Sequence, residues 1–200
     1  MEKILAVASA YILGSIPFAY IVSRTINGID IRKVGDRNAG AANVFRHIGL
    51  YAGIVVLTAD IAKGALAMFV AQAISGDWFF RLLAGGAAVI GHSFPVFLRF
   101  RGGRGEATTI GVLLLLIPKE MAITSALTIT LLITTTRNTL WLSAALFAPL
   151  PLLCWAFGEP VSSIVYSAAL PGMVGLRHFA TMRHLSPEAR KEASRLWVRS

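Results

Sequence analysis

Residues 1–24 read MEKILAVASAYILGSIPFAYIVSR, and the identity of this stretch decides the fold. One reading is a cleaved secretory leader, because AVASA resembles a cleavage site. Cutting after Ala10 would leave an apolar core of only residues 4–9, shorter than such leaders need. The apolar run also continues to Val22. The stretch is therefore read as a first membrane crossing that is kept. Composition agrees: of 200 residues, 56% are hydrophobic and 14% charged, with a mean hydropathy of +0.67. Soluble domains carry about 25% charged residues.

Crossing a bilayer core takes about 20 apolar residues in a helix. Residues 4–23, 51–74, 80–98, 107–117, 121–135, 140–157 and 161–176 reach or approach that length, the fourth being short. The expectation is an all-α, polytopic membrane protein of about seven transmembrane helices. Pro118 and Pro160 mark breaks between helices. No internal repeat or separate soluble domain is visible, so residues 1–200 are read as one domain with a polar tail at 177–200.

The net charge of +9 would suggest nucleic acid in a soluble protein. In a membrane protein, basic residues collect in cytoplasmic loops instead, and no nucleic-acid partner is expected. With the N-terminus outside, one set of loops holds Arg24, Arg32, Lys33, Arg37 and Arg46, then Arg99, Arg101 and Arg104, then Arg137 and the basic tail. The opposite set holds only Lys3, Arg81 and Lys119. The bias predicts N-out and C-in. The three long polar stretches, 25–50, 99–106 and 177–200, then share the cytoplasmic face. The single cysteine, Cys154, lies in an apolar run and is read as a buried small side chain. No Cys/His cluster suggests a metal.

Two polar stretches suggest chemistry. In RFRGGRGEATT (99–109), Gly102, Gly103 and Gly105 bare the backbone just before a helix start. Exposed amides and the helix dipole favour a phosphate or carboxylate there, and Arg104 can add a forked pair of hydrogen bonds. A plain interfacial turn fits this stretch equally well. In VGDRNAGAANVFR (34–46), Gly35, Gly40, Ala41 and Ala42 permit close backbone approach. Asn38, Asn43 and Arg46 supply hydrogen-bonding groups. A capped loop explains this stretch by itself; two such loops on one face favour a phosphate site.

Asp60 and Lys63 lie within the second span, where ionisable groups are costly. Their i,i+3 spacing puts them on one face and predicts a structural ion pair, with a place in a polar cavity as the alternative for Lys63. His92, near the end of the third span, and His178, where the last span leaves the membrane, are candidates for a general base or a phosphate donor. His47 and His184 have weaker claims. In the tail, Ser186-Pro187-Glu188 signals a helix start. Leu196, Trp197 and Val198 among basic residues suggest contact with an anionic membrane surface.

Together these motifs resemble the bacterial acyl-phosphate:glycerol-3-phosphate acyltransferases, small multi-pass membrane enzymes of phospholipid synthesis. The likeness runs from YILGSIPFAYIVSR through DIAKG, GHSFPVF and the glycine loop to the tail. Of the family's G-S-G-N-x-G-A-T-N-x-x-R, Gly35, Asn38, Gly40, Ala41, Asn43 and Arg46 match, while Asp36, Arg37 and Ala42 depart. Of G-G-K-G-V-A-T, Gly102, Gly103, Gly105, Ala107 and Thr108 match, with Arg104 for lysine and Glu106 for valine. Of H-x-x-N-I-x-R, His178 is kept, while Thr181 and His184 replace asparagine and arginine. Asp36 sets a carboxylate where the family offers a hydroxyl, a repulsion for phosphate that the neighbouring Arg37 is expected to offset. Glu106 suits a helix N-terminus but competes with an incoming anion. Arg104 keeps the charge and changes its shape. The departures mark a divergent member.

The resemblance implies transfer of a fatty acyl group from acyl-phosphate to the 1-hydroxyl of sn-glycerol 3-phosphate, giving lysophosphatidic acid and phosphate without a cofactor. It implies an inner-membrane site facing the cytoplasm, membrane lipid around it, and an enzyme upstream that makes acyl-phosphate. Arg104 and His178 are the expected catalytic residues. Gly35, Asn38, Gly40, Asn43, Arg46, Gly102, Gly103, Gly105 and Thr108 are expected to bind substrate phosphate, with His92 and Lys63 as further candidates. Rival readings are a paralogue acting on another polyol phosphate, and a transporter or phosphate-lipid-binding protein without turnover.

Overall fold

The computed structural model describes residues 1–194. The apolar patch Leu196–Val198 and its flanking Arg195 and Arg199 lie outside the described residues. The elements are α1 (Glu2–Gly14), α2 (Phe18–Asn27), α3 (Ala41–His47), α4 (Leu50–Ser75), α5 (Trp78–Ser93) and α6 (Glu106–Leu116). They continue with α7 (Pro118–Thr134), α8 (Thr139–Phe147), α9 (Leu150–Ala156), α10 (Val161–Met182) and α11 (Pro187–Ala193). Short 3-10 turns cover Ile31–Lys33 and Val96–Leu98. Among the described residues, four helical segments are long and apolar enough to cross a membrane: Glu2–Asn27, Leu50–Ser75, Trp78–Leu98 and Thr139–Ala156. The chain is an all-helical, multi-pass membrane protein.

Two expected continuous spans are interrupted. Residues 4–23 divide into α1 and α2 at Ser15–Pro17. Pro17 has no amide hydrogen and disfavours helical geometry at Ile16, so the α1 ladder stops there. Residues 140–157 divide into α8 and α9, where Pro149 and Pro151 withdraw two amide donors within three residues. The third span is helical only to Ser93; Pro95 and the 3-10 turn carry the chain on to Leu98. The last helix reaches Met182, beyond the expected end at 176.

The chain forms two compact units, Met1–Val112 and the part from Leu113 onward. In the first, α1 and α5 lie side by side and both pack on α4. Their shared core is almost all alanine: Ala6, Ala10, Ala67, Ala71, Ala84 and Ala88. Small side chains let helix backbones approach closely in lipid, where apolar burial between helices gains little. Lys3 pairs with Asp77 at 2.8 Å at the starts of α1 and α5, and Tyr11 donates to the Phe94 carbonyl at 2.8 Å towards their ends. The two helices therefore run parallel, and the chain after α5 emerges at the same end as the α1–α2 break. A second cluster, including Ile31, Val44 and Val56, anchors the 28–49 segment, which contains α3, against α2 and α4.

In the second unit, α7 packs on α8 and α9, and α10 on α8 and α9. Cys154 is buried there. The tail helix α11 starts at the expected signal: Ser186 Oγ accepts from the Ala189 amide at 3.3 Å. The Thr139 amide donates to the Ser194 carbonyl at 2.9 Å and ties the tail to the start of α8.

Candidate active site

The first polar loop is built around Asn43. This residue, on α3, is wholly buried, and its Nδ2 donates to the carbonyls of Ile31, Val34 and Asn38 at 3.0–3.1 Å. The Nδ2 group of this expected phosphate ligand thus ties its own loop together. Gly35 and Arg37 both adopt left-handed backbone, with φ near 57°. A Cβ at Gly35 would fall on the His47 imidazole, so this position needs glycine twice over. The two left-handed residues flank Asp36 and turn its carboxylate inward; Arg37 itself is exposed.

The centre of the site is Asp36. Its Oδ2 accepts from an Nη of Arg46 at 2.9 Å and from an Nη of Arg104 at 3.0 Å. Its Oδ1 accepts from the Asn38 amide at 3.1 Å. The Asp36 and Arg46 side chains are 0% exposed and that of Arg104 9%. Arg46 arrives on α3 and Arg104 on the glycine loop, 58 positions later by their numbers (104 − 46). The charge of Asp36 is therefore balanced by Arg46 and Arg104, not by the adjacent Arg37 as its neighbourhood in sequence suggests. Charge-assisted pairs of this kind are the strong hydrogen bonds of proteins.

The glycine loop is fastened to the end of α5. The Gly102 amide donates to the Ser93 carbonyl at 3.2 Å and the Gly103 amide to the His92 carbonyl at 3.1 Å. These two amides thus hold the loop rather than face an open anion site. A Cβ at Gly102 would strike the His92 carbonyl oxygen; at Gly103 it would strike His92 Nε2 and lie 2.7 Å from the Ala39 oxygen. Gly105 sits at φ 94°, a left-handed value that favours glycine, and the Thr109 amide closes the first helical bond on its carbonyl at 2.8 Å. Thr108 is buried in α6 with its carbonyl against Gly64 of α4, in a helix seam. A Cβ at Gly40, the N-cap of α3, would meet the side-chain Nδ2 of Asn38 at 2.9 Å.

Beneath the loop lies a small recess lined by Ile16, Ala39, Asp60, Lys63, His92 and Gly103, among others. Lys63 Nζ is 2.7 Å from Asp60 Oδ1, the pair their spacing predicts. The same ammonium donates at 2.8 Å to the Ile16 carbonyl, which the α1–α2 break has freed from helical bonding. His92 Nδ1 stands 3.6 Å from Asp60 Oδ1. Sequence reasoning found the ion pair but not its third partner, because Ile16 is 47 positions away and only the proline signalled a freed carbonyl.

At the loop's edge Arg32 forks onto Asp30, with Nε at 2.9 Å and Nη at 2.8 Å. The Arg32 hydrogen bonds hold the Asp30 carboxyl below its ordinary range despite partial burial. Arg32 also donates to the Leu98 carbonyl at 3.3 Å and so links the two polar loops. His178 belongs to the second unit, half-buried near the end of α10. Thr181 donates to the Arg177 carbonyl at 2.8 Å, and His184 lies beyond the helix beside Arg183. Among the described residues no group of three or more His, Cys, Asp or Glu side chains is placed to hold a metal ion.

Helical membrane crossings and a buried Asp36–Arg46–Arg104 centre joining two glycine-rich loops define a class: polytopic membrane proteins with a charged centre between paired loops. The family described as glycerol-3-phosphate acyltransferase matches residues 4–187, and the chain belongs to it. It is 42% identical to glycerol-3-phosphate acyltransferase 4 of Dehalococcoides mccartyi, over 90% of this chain and 97% of that one. It is 41% identical to the glycerol-3-phosphate acyltransferase of Bacillus cytotoxicus, over 92% of each. Its structure is similar to the crystal structure of PlsY (YgiH), an integral membrane glycerol 3-phosphate acyltransferase, in the glycerol 3-phosphate form. That match has a TM-score of 0.83 at 29% identity and covers 95% of this chain and 94% of that one. The lysophosphatidic acid form gives a TM-score of 0.80. The chain is thus a membrane acyltransferase of phospholipid synthesis, and the transporter and binding-protein readings are set aside.

Proposed function

We propose that this enzyme moves a fatty acyl group from acyl-phosphate to the 1-hydroxyl of sn-glycerol 3-phosphate, releasing lysophosphatidic acid and inorganic phosphate. One observation carries the site assignment: Arg46 and Arg104, from separate segments, converge on a single anion, the Asp36 carboxylate. A substrate phosphate is an anion of the same chemistry. Acyl-phosphate is already activated, so positioning and charge stabilisation suffice and no covalent enzyme intermediate is needed. Gly35, Gly40, Gly102, Gly103 and Gly105 shape the loops, Asn38, Asn43 and Thr108 brace them, and the two guanidiniums grip phosphate. His178 enters this reading through its motif. The Asp60–Lys63–His92 cluster supports the loop from below. The full proposal has about seven crossings, the N-terminus outside, and the loops on the cytoplasmic side of the inner membrane, where an upstream enzyme delivers acyl-phosphate.

The test is phosphate release by purified protein given acyl-phosphate and glycerol 3-phosphate. Arg46→Ala and Arg104→Ala should each slow it about 100-fold while the protein stays folded. Unchanged release in both variants overturns the assignment.

A further inference from the structure

Asp36 presents a difficulty for any phosphate that arrives at this site. Its Oδ2 already occupies the point on which an Nη of Arg46 and an Nη of Arg104 converge, at 2.9 and 3.0 Å. A phosphate oxygen seeking those donors would meet a full negative charge at contact distance, and two such anions repel strongly where water is excluded. Without any anion, two buried guanidiniums would face each other uncompensated, which is equally costly. The centre therefore calls for one anion at this point. The carboxylate also has a second anchor, since Oδ1 accepts from the Asn38 amide at 3.1 Å independently of both arginines. Oδ2 can be vacated while that anchor holds.

We propose that Asp36 is the resident anion of the phosphate site: substrate phosphate binds by taking Arg46 and Arg104 from its carboxylate, and Asp36 thereby sets the affinity. The inference rests on reading the two arginines as phosphate ligands. The resident anion keeps the guanidiniums paired and in place between turnovers. It also weakens the hold on phosphate, which favours release of the inorganic phosphate product. Asp36 is in this sense an affinity-determining residue that acts through the two arginines.

The probe is inorganic phosphate, titrated against the full-length protein in detergent. Unfolding is followed with a thiol-reactive dye that reports the buried Cys154. Asp36→Asn keeps the side chain's shape without its charge, and Asp36→Ser shortens it. Both should unfold at lower temperature than the unaltered protein in phosphate-free buffer, and both should be rescued as phosphate is added. Half-saturation should fall about tenfold in each, because the competing anion is gone. In turnover the same variants should show a lower KM for glycerol 3-phosphate. Half-saturation equal to or above that of the unaltered protein overturns the proposal. So does a variant that stays unfolded at saturating phosphate, since phosphate then cannot stand where the carboxylate stood. Arg46→Ala and Arg104→Ala separate the two ideas. If they leave phosphate binding unchanged, the site reading itself fails. If they abolish binding while Asp36→Asn does not tighten it, only the role of Asp36 fails.

Discussion

Asp60 and Lys63 show what a buried charge pair does at the scale of single residues. The two side chains are 1% and 3% exposed, so each depends on the other for its counter-charge. Replacing Lys63 by methionine leaves Asp60 buried without its ammonium partner, with the His92 imidazole 3.6 Å away. The expected cost is about 3–5 kcal/mol, read as a lower unfolding temperature. Removing both charges with Asp60→Leu and Lys63→Met should recover most of that loss. The part not recovered measures the bond from Lys63 to the Ile16 carbonyl, which neither replacement restores. A double variant no better than the single one would show that the pair matters for something other than charge balance. The pair was legible from an i,i+3 spacing. The anchored carbonyl was not, because nothing local links residues 16 and 63.

At the scale of elements, the first unit is held by backbones in near contact. A Cβ at Gly91 of α5 would fall on the Tyr11 carbonyl oxygen of α1. One at Gly111 of α6 would fall on the Ile61 oxygen of α4, and one at Gly64 of α4 on the Thr108 oxygen of α6. Gly91→Ala and Gly111→Ala should therefore push helices apart and cost about 1–3 kcal/mol each. Gly172→Ala and Gly175→Ala on α10 meet nothing within 4 Å. They should leave stability unchanged or raise it slightly, since alanine is the better helix former. Equal losses at all four positions would show that the close approaches do not hold the unit together. Helix existence was legible from apolar length. The interruptions at Pro17 and at Pro149–Pro151 were not read, because apolar runs continue across both.

For the whole molecule, the parallel run of α1 and α5 brings the loops of residues 28–49 and 94–105 to one end of the first unit, where Asp36 binds Arg104. The orientation we propose from the charge bias puts that end in the cytoplasm. A reporter fused to the C-terminus should be reached only after cells are opened, and a tag at the N-terminus should be reached from outside. The reverse pattern would invert the orientation. The amino-acid sequence by itself determined that the chain is an all-helical membrane protein with two glycine-rich loops and a family likeness. Apolar length and motif spacing are local properties, and a linear reading captures them. Only the tertiary structure decided which arginines balance Asp36, what Asn43 holds, and that the Gly102 and Gly103 amides fasten the loop to α5. Those outcomes join groups from 5 to 68 positions apart whose meeting no local pattern announces, because each buried charge and each freed backbone group must find a partner away from water.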